Sequence, residues 1–393
     1  MEEELDEEEE EEQEVWSWGA GTEGQLGTER EKDELLPRLV SCLSSVSVSA
    51  LSCGGAHVIA LASGGEVFSW GRGSSGQLGQ GDLVARCLKP APISSLESIP
   101  IASVSAGWNH SGFVSRAGCP FTCGDGSFGQ LGHGDYRSYP FPVQVPFFAS
   151  HLVSQIACGM RHSIVVCKGE SEFSVYGFGS CKRGQIGSSS SHAKSFGLPQ
   201  HIPGLDGVEI VGLYANGDHS AALSADGRLY SWGRGFPGAP DACIPQLLPS
   251  SQLIKEACLG WNHALSLTDD GEVLMLGGKL HSLHNDPALK SLASQQSGVT
   301  WEKVPGPDRA KVIQIAAGAE HSALVNEDGS VMTWGWGEHG QLGLGDTSDQ
   351  ILPQTVNLSD GLPFTAMNTT VYCGSGFTFV VRKHQRKRPS TIN

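Results

Sequence analysis

Charge is scarce in this chain. Only 17% of its 393 residues are charged, which is low for a helical protein and ordinary for a compact all-β one. No stretch approaches the roughly 18–20 apolar residues of a membrane-spanning helix, so no membrane span is expected. The N-terminus has no apolar segment of the secretory kind, and an intracellular location, cytoplasmic or nuclear, is expected. Catalytic signatures are missing too: no nucleophile elbow, no Walker loop, no zincin helix. No local His/Cys/Asp/Glu cluster has metal-ligand spacing, and Cys119 and Cys123 lack a second pair. Neither a metal nor a cofactor is expected, and catalysis by the chain alone is disfavoured.

Glycine, by contrast, is abundant, with 52 residues, and it marks a repeat. The segment 17–27 reads Ser-Trp-Gly-Ala-Gly-Thr-Glu-Gly-Gln-Leu-Gly and returns at 69–79, 122–132 and 333–343. Weaker copies begin at Val175, Ser231 and Met275. Aligned on Trp18, Trp70, Cys123, Tyr176, Trp232, Leu276 and Trp334, the copies lie 52, 53, 53, 56, 44 and 58 residues apart. A second signature, a Gly turn leading to His, runs in phase at His57, His110, His162, His219, His263 and His321, with Phe377 in the seventh place. Between the two lie short apolar runs joined by Gly-Gly or Asp-Gly, the mark of a β-hairpin.

Each terminus holds half a repeat. The first copy starts at the Trp-Gly strand, and the last stops after the His-type element, so a complete seventh unit needs the two ends to pair. A ring of sheets closes in this way and hides its edges. The expectation is an all-β, seven-bladed β-propeller over residues 15–382, closed by N- and C-terminal strands. An acidic disordered tail is expected at 1–14 and a basic one at 383–393. Cys53, Cys158 and Cys373 occupy one repeat position, where pairing is difficult, and the total of 11 is odd; a reducing compartment fits.

The joint pattern of Gly-x-x-His, Asp-Gly and Trp-Gly-x-Gly-x-x-Gly-Gln-Leu-Gly resembles the regulator-of-chromosome-condensation repeat family, over nearly the whole chain. Trp-Asp repeats have a shorter period, and kelch repeats lack Gly-Gln-Leu-Gly. The resemblance makes His57, His110, His162, His219, His263, His321, Trp18, Trp70, Trp232 and Trp334 structural. It also removes two false leads. Gly-x-Gly-x-x-Gly occurs at 19–24, 71–76, 124–129, 233–238 and 335–340, whereas a dinucleotide fingerprint occurs once, before a helix. The six histidines lie on different blades, which argues against a metal ring.

The family resemblance implies three functional readings. The first is a non-catalytic propeller that binds a protein partner as adaptor or regulator. The second is guanine-nucleotide exchange on a small Ras-like GTPase, in which an acidic residue directly before a repeat His takes part; Asp218, before His219, matches. The family's exchange factors also carry a wedge that interrupts an early Gly-Gln-Leu-Gly loop, and residues 124–134 run without interruption. The third is ultraviolet-B perception, for which the family's photoreceptor repeats Gly-Trp-Arg-His-Thr on adjacent blades. Here Trp108 and Trp261 are followed by Asn109 and Asn262, and stand three repeats apart, so coupling between them is not expected. Residues 180–199, 235–247 and 277–307 depart from the motif in consecutive repeats, with a helical pattern at 287–296. A shaped partner site there would be anchored by Trp261 and Trp301.

Residues 2–14 hold 11 acidic groups, and 383–389 reads as a nuclear import signal. Over residues 15–381, 31 acidic residues face 21 basic ones, so strong direct nucleic-acid binding is not expected.

Overall fold

A computed structural model describes residues 10–81, 84–169, 173–188, 193–237, 239–278, 301–305, 311–358 and 368–386. They form seven four-stranded antiparallel sheets, the blades of a closed propeller. Blades one to six begin with the strands Val48–Cys53, Ile101–Ala106, Val153–Cys158, Ile210–Asn216, Ile254–Leu259 and Val312–Ala317. Blade seven combines both ends of the chain, as the half-repeats require: Asn368–Cys373, Phe377–Arg386, Glu10–Gly19 and Glu34–Leu39 lie side by side. The helical pattern at 287–296 lies outside the described residues.

Sequence and burial agree strand by strand. In blades one, two and four to six the second strand is buried at every position, as in His57–Ala62 and His321–Asn326, because neighbouring blades cover both its faces. Such strands read as continuous apolar runs. Each blade junction contains one apolar cluster. That of blades seven and one holds Val15, Leu26, Phe377 and Phe379 against Val48, Val58 and Trp70.

The closing ladder runs past the expected limits. Glu12 stands opposite His384, Gln13 opposite Lys383 and Glu14 opposite Arg382, with strand pairing from Glu10 to Arg386. Residues 10–14 and 383–386 are therefore strand where tails were expected. An acidic strand beside a basic one satisfies its backbone and opposes unlike charges, with Glu14 at 3.3 Å from His384. The expected import signal begins within this ladder, and residues 387–389 of it lie outside the described residues.

Magnitudes decide what closes the ring. Solvent-screened ion pairs contribute at most about 1 kcal/mol, and in the partly buried Glu14–His384 pair desolvation offsets the stronger attraction, whereas emptying a buried phenylalanine site costs about 3–5 kcal/mol. Phe379→Ala is therefore expected to lower unfolding stability by several kcal/mol in urea titration, and Glu14→Gln by less than about 1 kcal/mol. A larger loss in Glu14→Gln would make the charged ladder the closure.

Candidate functional site at the channel mouth

The loops after the first and third strands of every blade emerge on one face. The first strands line a central channel of ≈ 590 Å³ that opens there. Backbone hydrogen bonds tie the loops around its mouth: Gly55 N–H donates to Gly107, Trp108 to Gly159, Met160 to Gly217, Trp261 to Ala319, Ala319 to Ser375 and Ser375 to Gly54. Between blades four and five side chains take over. Asn216 Nδ2 donates to the Leu259 carbonyl, and His219 Nε2 bonds the Trp261 carbonyl.

Trp108 and Trp261 meet across this mouth, with ring centroids 5.3 Å apart and planes inclined at 47°. Three repeats of separation in a seven-membered ring places two inner loops opposite each other, so the expectation that the tryptophans stand apart is corrected. Each leans over a glycine of the preceding blade. A Cβ on Gly55 would lie 2.9 Å from the Trp108 ring, and Gly217, at φ +56, has the Trp261 ring at 3.3 Å. A glycine one repeat before each tryptophan was the sequence signal for this pair. Glu256 lines the same channel, and burial pushes its carboxyl up to about 7.

Around the pair stand charged side chains from the same loops. Asp218 is half-buried in the turn before His219, and its Oδ1 accepts from Gln185 Nε2 at 3.0 Å. Arg161 lies over the Phe128 ring at 4.7 Å. Asn109 accepts from Arg72 at 2.7 Å, and Asn262 donates to Glu320 at 3.4 Å. Trp301 belongs elsewhere: it precedes the outermost strand of blade five, Glu302–Lys303, and packs on the apolar cluster between blades four and five. The structure thus brings Trp108 and Trp261 together and holds Trp301 at the other edge of the blade.

The repeat histidines and tryptophans join blades. His57, His110 and His162 bond Ser111, Ser163 and Ser220 of the next blade at 2.8–2.9 Å, and His321 bonds Thr378 at 3.0 Å. Each of these hydroxyls spends its proton on a glutamine backbone carbonyl, of Gln77, Gln130, Gln185 and Gln341 respectively. The imidazole must therefore donate through Nε2–H, with Nδ1 unprotonated. Trp18, Trp70 and Trp232 donate to the same class of carbonyl, of Gln341, Gln25 and Gln185, at 2.9–3.0 Å. The third blade keeps this arrangement through Gln185 and the fully buried Ile186, so the irregularity expected from 180 onward begins only after them.

The fold and these clamps define a seven-bladed propeller built from Gly-Gln-Leu-Gly repeats. The chain belongs to the RCC1-like family: the RCC1-like domain profile matches residues 10–240, and Regulator of chromosome condensation (RCC1) repeat profiles match 312–341 and 328–381. It is 31% identical to the Ultraviolet-B receptor UVR8 of Arabidopsis thaliana over 80% of this chain and 70% of the receptor. It is 28% identical to the mouse Secretion-regulating guanine nucleotide exchange factor over 93% of this chain and 83% of the relative. Human E3 ubiquitin-protein ligase HERC2 is 30% identical over 93% of this chain, which spans only 6% of the ligase. Prp20p of Saccharomyces cerevisiae superposes with a TM-score of 0.78 at 22% identity, covering 96% of this chain and 92% of that one; human WBSCR16 gives 0.79 at 23%, covering 95% and 99%. These two likenesses show the fold.

Burial pushes His57, His162 and His321 down to about 3, and His110 and His263 to about 4. A histidine whose folded value lies below its unfolded one, near 6.5, binds fewer protons when folded. Its contribution is whole above that pH and lost as pH falls. Glu256, shifted upward, acts in the opposite sense, as one group against five. The urea midpoint is therefore expected to fall steadily from pH 7 to pH 5; a midpoint constant down to pH 4 would refute buried neutral imidazoles. Rings 5.3 Å apart also couple: an exciton couplet in circular dichroism is expected, lost in both Trp108→Phe and Trp261→Phe. A couplet that survives either change would place the rings apart.

Proposed function

We propose that this chain is a non-catalytic interaction propeller, an adaptor or regulator that receives a protein partner on the channel-mouth face. The observation that carries this reading is the Trp108–Trp261 pair, half-buried at the centre of a face built from seven loops. Paired aromatics with charged neighbours make the usual anchor of a protein interface, and Tyr, Trp and Arg dominate hot spots. Arg161, Asp218 and Glu320 supply charges of both signs around the pair. A net charge of −10 over residues 15–381 disfavours nucleic-acid phosphates as the partner.

Exchange on a small GTPase is the second reading. Asp218 favours it, standing in the turn before His219 on the same face, and the family includes a secretion-regulating exchange factor. The uninterrupted loop 124–134 is where a wedge would be needed. Ultraviolet perception draws support from the tryptophan contact alone. The residues after both tryptophans are asparagines, bonded to Arg72 and Glu320, and they cannot supply the cation–π stacking of an arginine. An intracellular site, cytoplasmic or nuclear, accords with these readings.

Affinity capture from cell extract, with EDTA or with GTP, separates the first two. An exchange factor holds the nucleotide-free GTPase most tightly. The adaptor reading expects a partner indifferent to nucleotide and lost in the Trp108→Ala/Trp261→Ala double variant. A small GTPase captured only in EDTA, with exchange reduced at least tenfold by Asp218→Ala, would replace it with the exchange reading.

A further inference from the structure

Each loop glutamine uses its side-chain oxygen within its own turn and has an amide donor left over. At two junctions a carboxylate meets that donor. Gln130 Nε2 donates to Asp125 Oδ2 at 3.1 Å between blades two and three, and Gln185 Nε2 to Asp218 Oδ1 at 3.0 Å between blades three and four. Asp125 follows the glycine of the Trp-Gly element or its equivalent, and Asp218 directly precedes a repeat histidine. Between blades one and two the same two positions hold Arg72 and Asn109. Neither counterpart is acidic.

The result is a surplus of donors next to Trp108. Gln77 is fully buried and its Nε2 meets no acceptor among the described residues; Arg72 Nε is buried and meets none either. A Cβ built on Gly124 would lie 2.5 Å from the Asn109 carbonyl and 3.2 Å from Gln77 Cα, so the asparagine and the glutamine adjoin. Asn109 Oδ1 accepts from Arg72 Nη2 at 2.7 Å. Nη2 and Nε lie on one edge of the guanidinium fork. A carboxylate takes both donors of such an edge, whereas Asn109 takes only Nη2. Gln341 Nε2 is unmet as well, with Trp336 and Gly376 in the two positions, so the amide alone marks no site. The guanidinium sets this junction apart. Asp82, outside the described residues, has counterparts in Asp135 and Asp346, each of which accepts the N–H two residues on.

We propose that Arg72 makes this face select an acidic residue of the partner: a side-chain carboxylate of the docked protein displaces the Asn109 amide and accepts from both Arg72 Nε and Nη2. The exchange needs no vacant seat, because half-buried Asn109 turns aside for the stronger acceptor. The surrounding charge sets the direction of the partner segment. Arg72 bonds the residue after Trp108, and Arg161 lies on the next loop of the mouth. Glu320 bonds the residue after Trp261, and Asp218 lies on the loop before it. The acidic residue therefore lies on the Trp108 side and a basic one on the Trp261 side. This rests on the reading of the channel mouth as the partner surface and names the chemistry of what docks there.

The probe is acetate, titrated at constant ionic strength against the full chain carrying isotope-labelled arginine, with acetamide as the uncharged control. Saturable movement of the Arg72 Nε–H resonance is expected with acetate, and at least tenfold weaker binding with acetamide. Asn109→Asp supplies the carboxylate from the chain itself; it is expected to shift that resonance without acetate and to abolish the response to it. In affinity capture Arg72→Gln and Asn109→Asp should each weaken the partner about tenfold or more, the value of a charge-assisted hydrogen bond, and Asn109→Ala should retain it. An equal response to acetamide, or none to acetate, overturns the proposal. So does a response gained only in Asp82→Asn, because the chain would then fill the fork itself. A partner lost in Trp108→Ala/Trp261→Ala and kept in full by Arg72→Gln overturns it too, while the channel-mouth reading stands. Capture of no partner refutes that reading, and the acetate titration still decides the role of Arg72.

Discussion

One backbone carbonyl per junction, that of the loop glutamine, is what most of the ring depends on. The glutamine side chain braces its own loop: Gln25, Gln77, Gln130, Gln185 and Gln341 each accept, through Oε1, the N–H two residues earlier. That leaves the main-chain carbonyl free to reach the next blade, where a tryptophan indole or a serine or threonine hydroxyl meets it. The hydroxyl is in turn held by the histidine of the blade behind. A buried chain of this kind is worth having only when complete, since each unmet group in a dry interface costs about 1–3 kcal/mol. The repeat motif is the set of residues that completes it.

The departures follow the same logic. Phe377 replaces histidine at the junction with blade one, and the residue it faces is Val58, with no hydroxyl to hold. Ala264 and Leu276 both lack donors where the preceding loop has lost its glutamine. At these places polar groups have left together, and apolar packing remains. Blade six keeps both donors, Trp334 and Ser322, while the loop of blade five that would answer them lies outside the described residues. The channel mouth is a second surface, composed by seven loops whose middle residues differ from blade to blade, while six of the seven open on glycine and six close on histidine.

Much of this was legible before any coordinates. A period near fifty, with half a repeat at each end, gives seven blades and their closure, because an open sheet edge is a liability that a ring removes. Side-chain contacts across the ring were less legible. Trp108 and Trp261 look remote along the chain, and only the closed geometry makes opposite blades neighbours at the axis. The limits of the ring were misplaced for a related reason: the acidic and basic ends read as solvated charge, whereas the ladder continues through them once each has the other beside it. Trp301 read as a surface anchor because exposure cannot be inferred for a lone tryptophan outside the repeat, and it packs on the wall between blades. Residues 180–188 read as irregular from composition, yet Gln185 and Ile186 keep their structural places.

Hydrogen–deuterium exchange along the chain tests the carbonyl clamp most directly, because opening of a junction exposes the amides of its second and third strands. Slow exchange is expected in 57–72, 110–124, 162–180 and 219–233, where a glutamine carbonyl receives at least one donor from the next blade. Faster exchange is expected in 263–277, where the clamp is replaced by Pro237, and in 321–335, where Trp334 Nε1 has no acceptor among the described residues. Uniform protection around all seven blades would contradict the account and assign the cohesion of the ring to apolar packing alone.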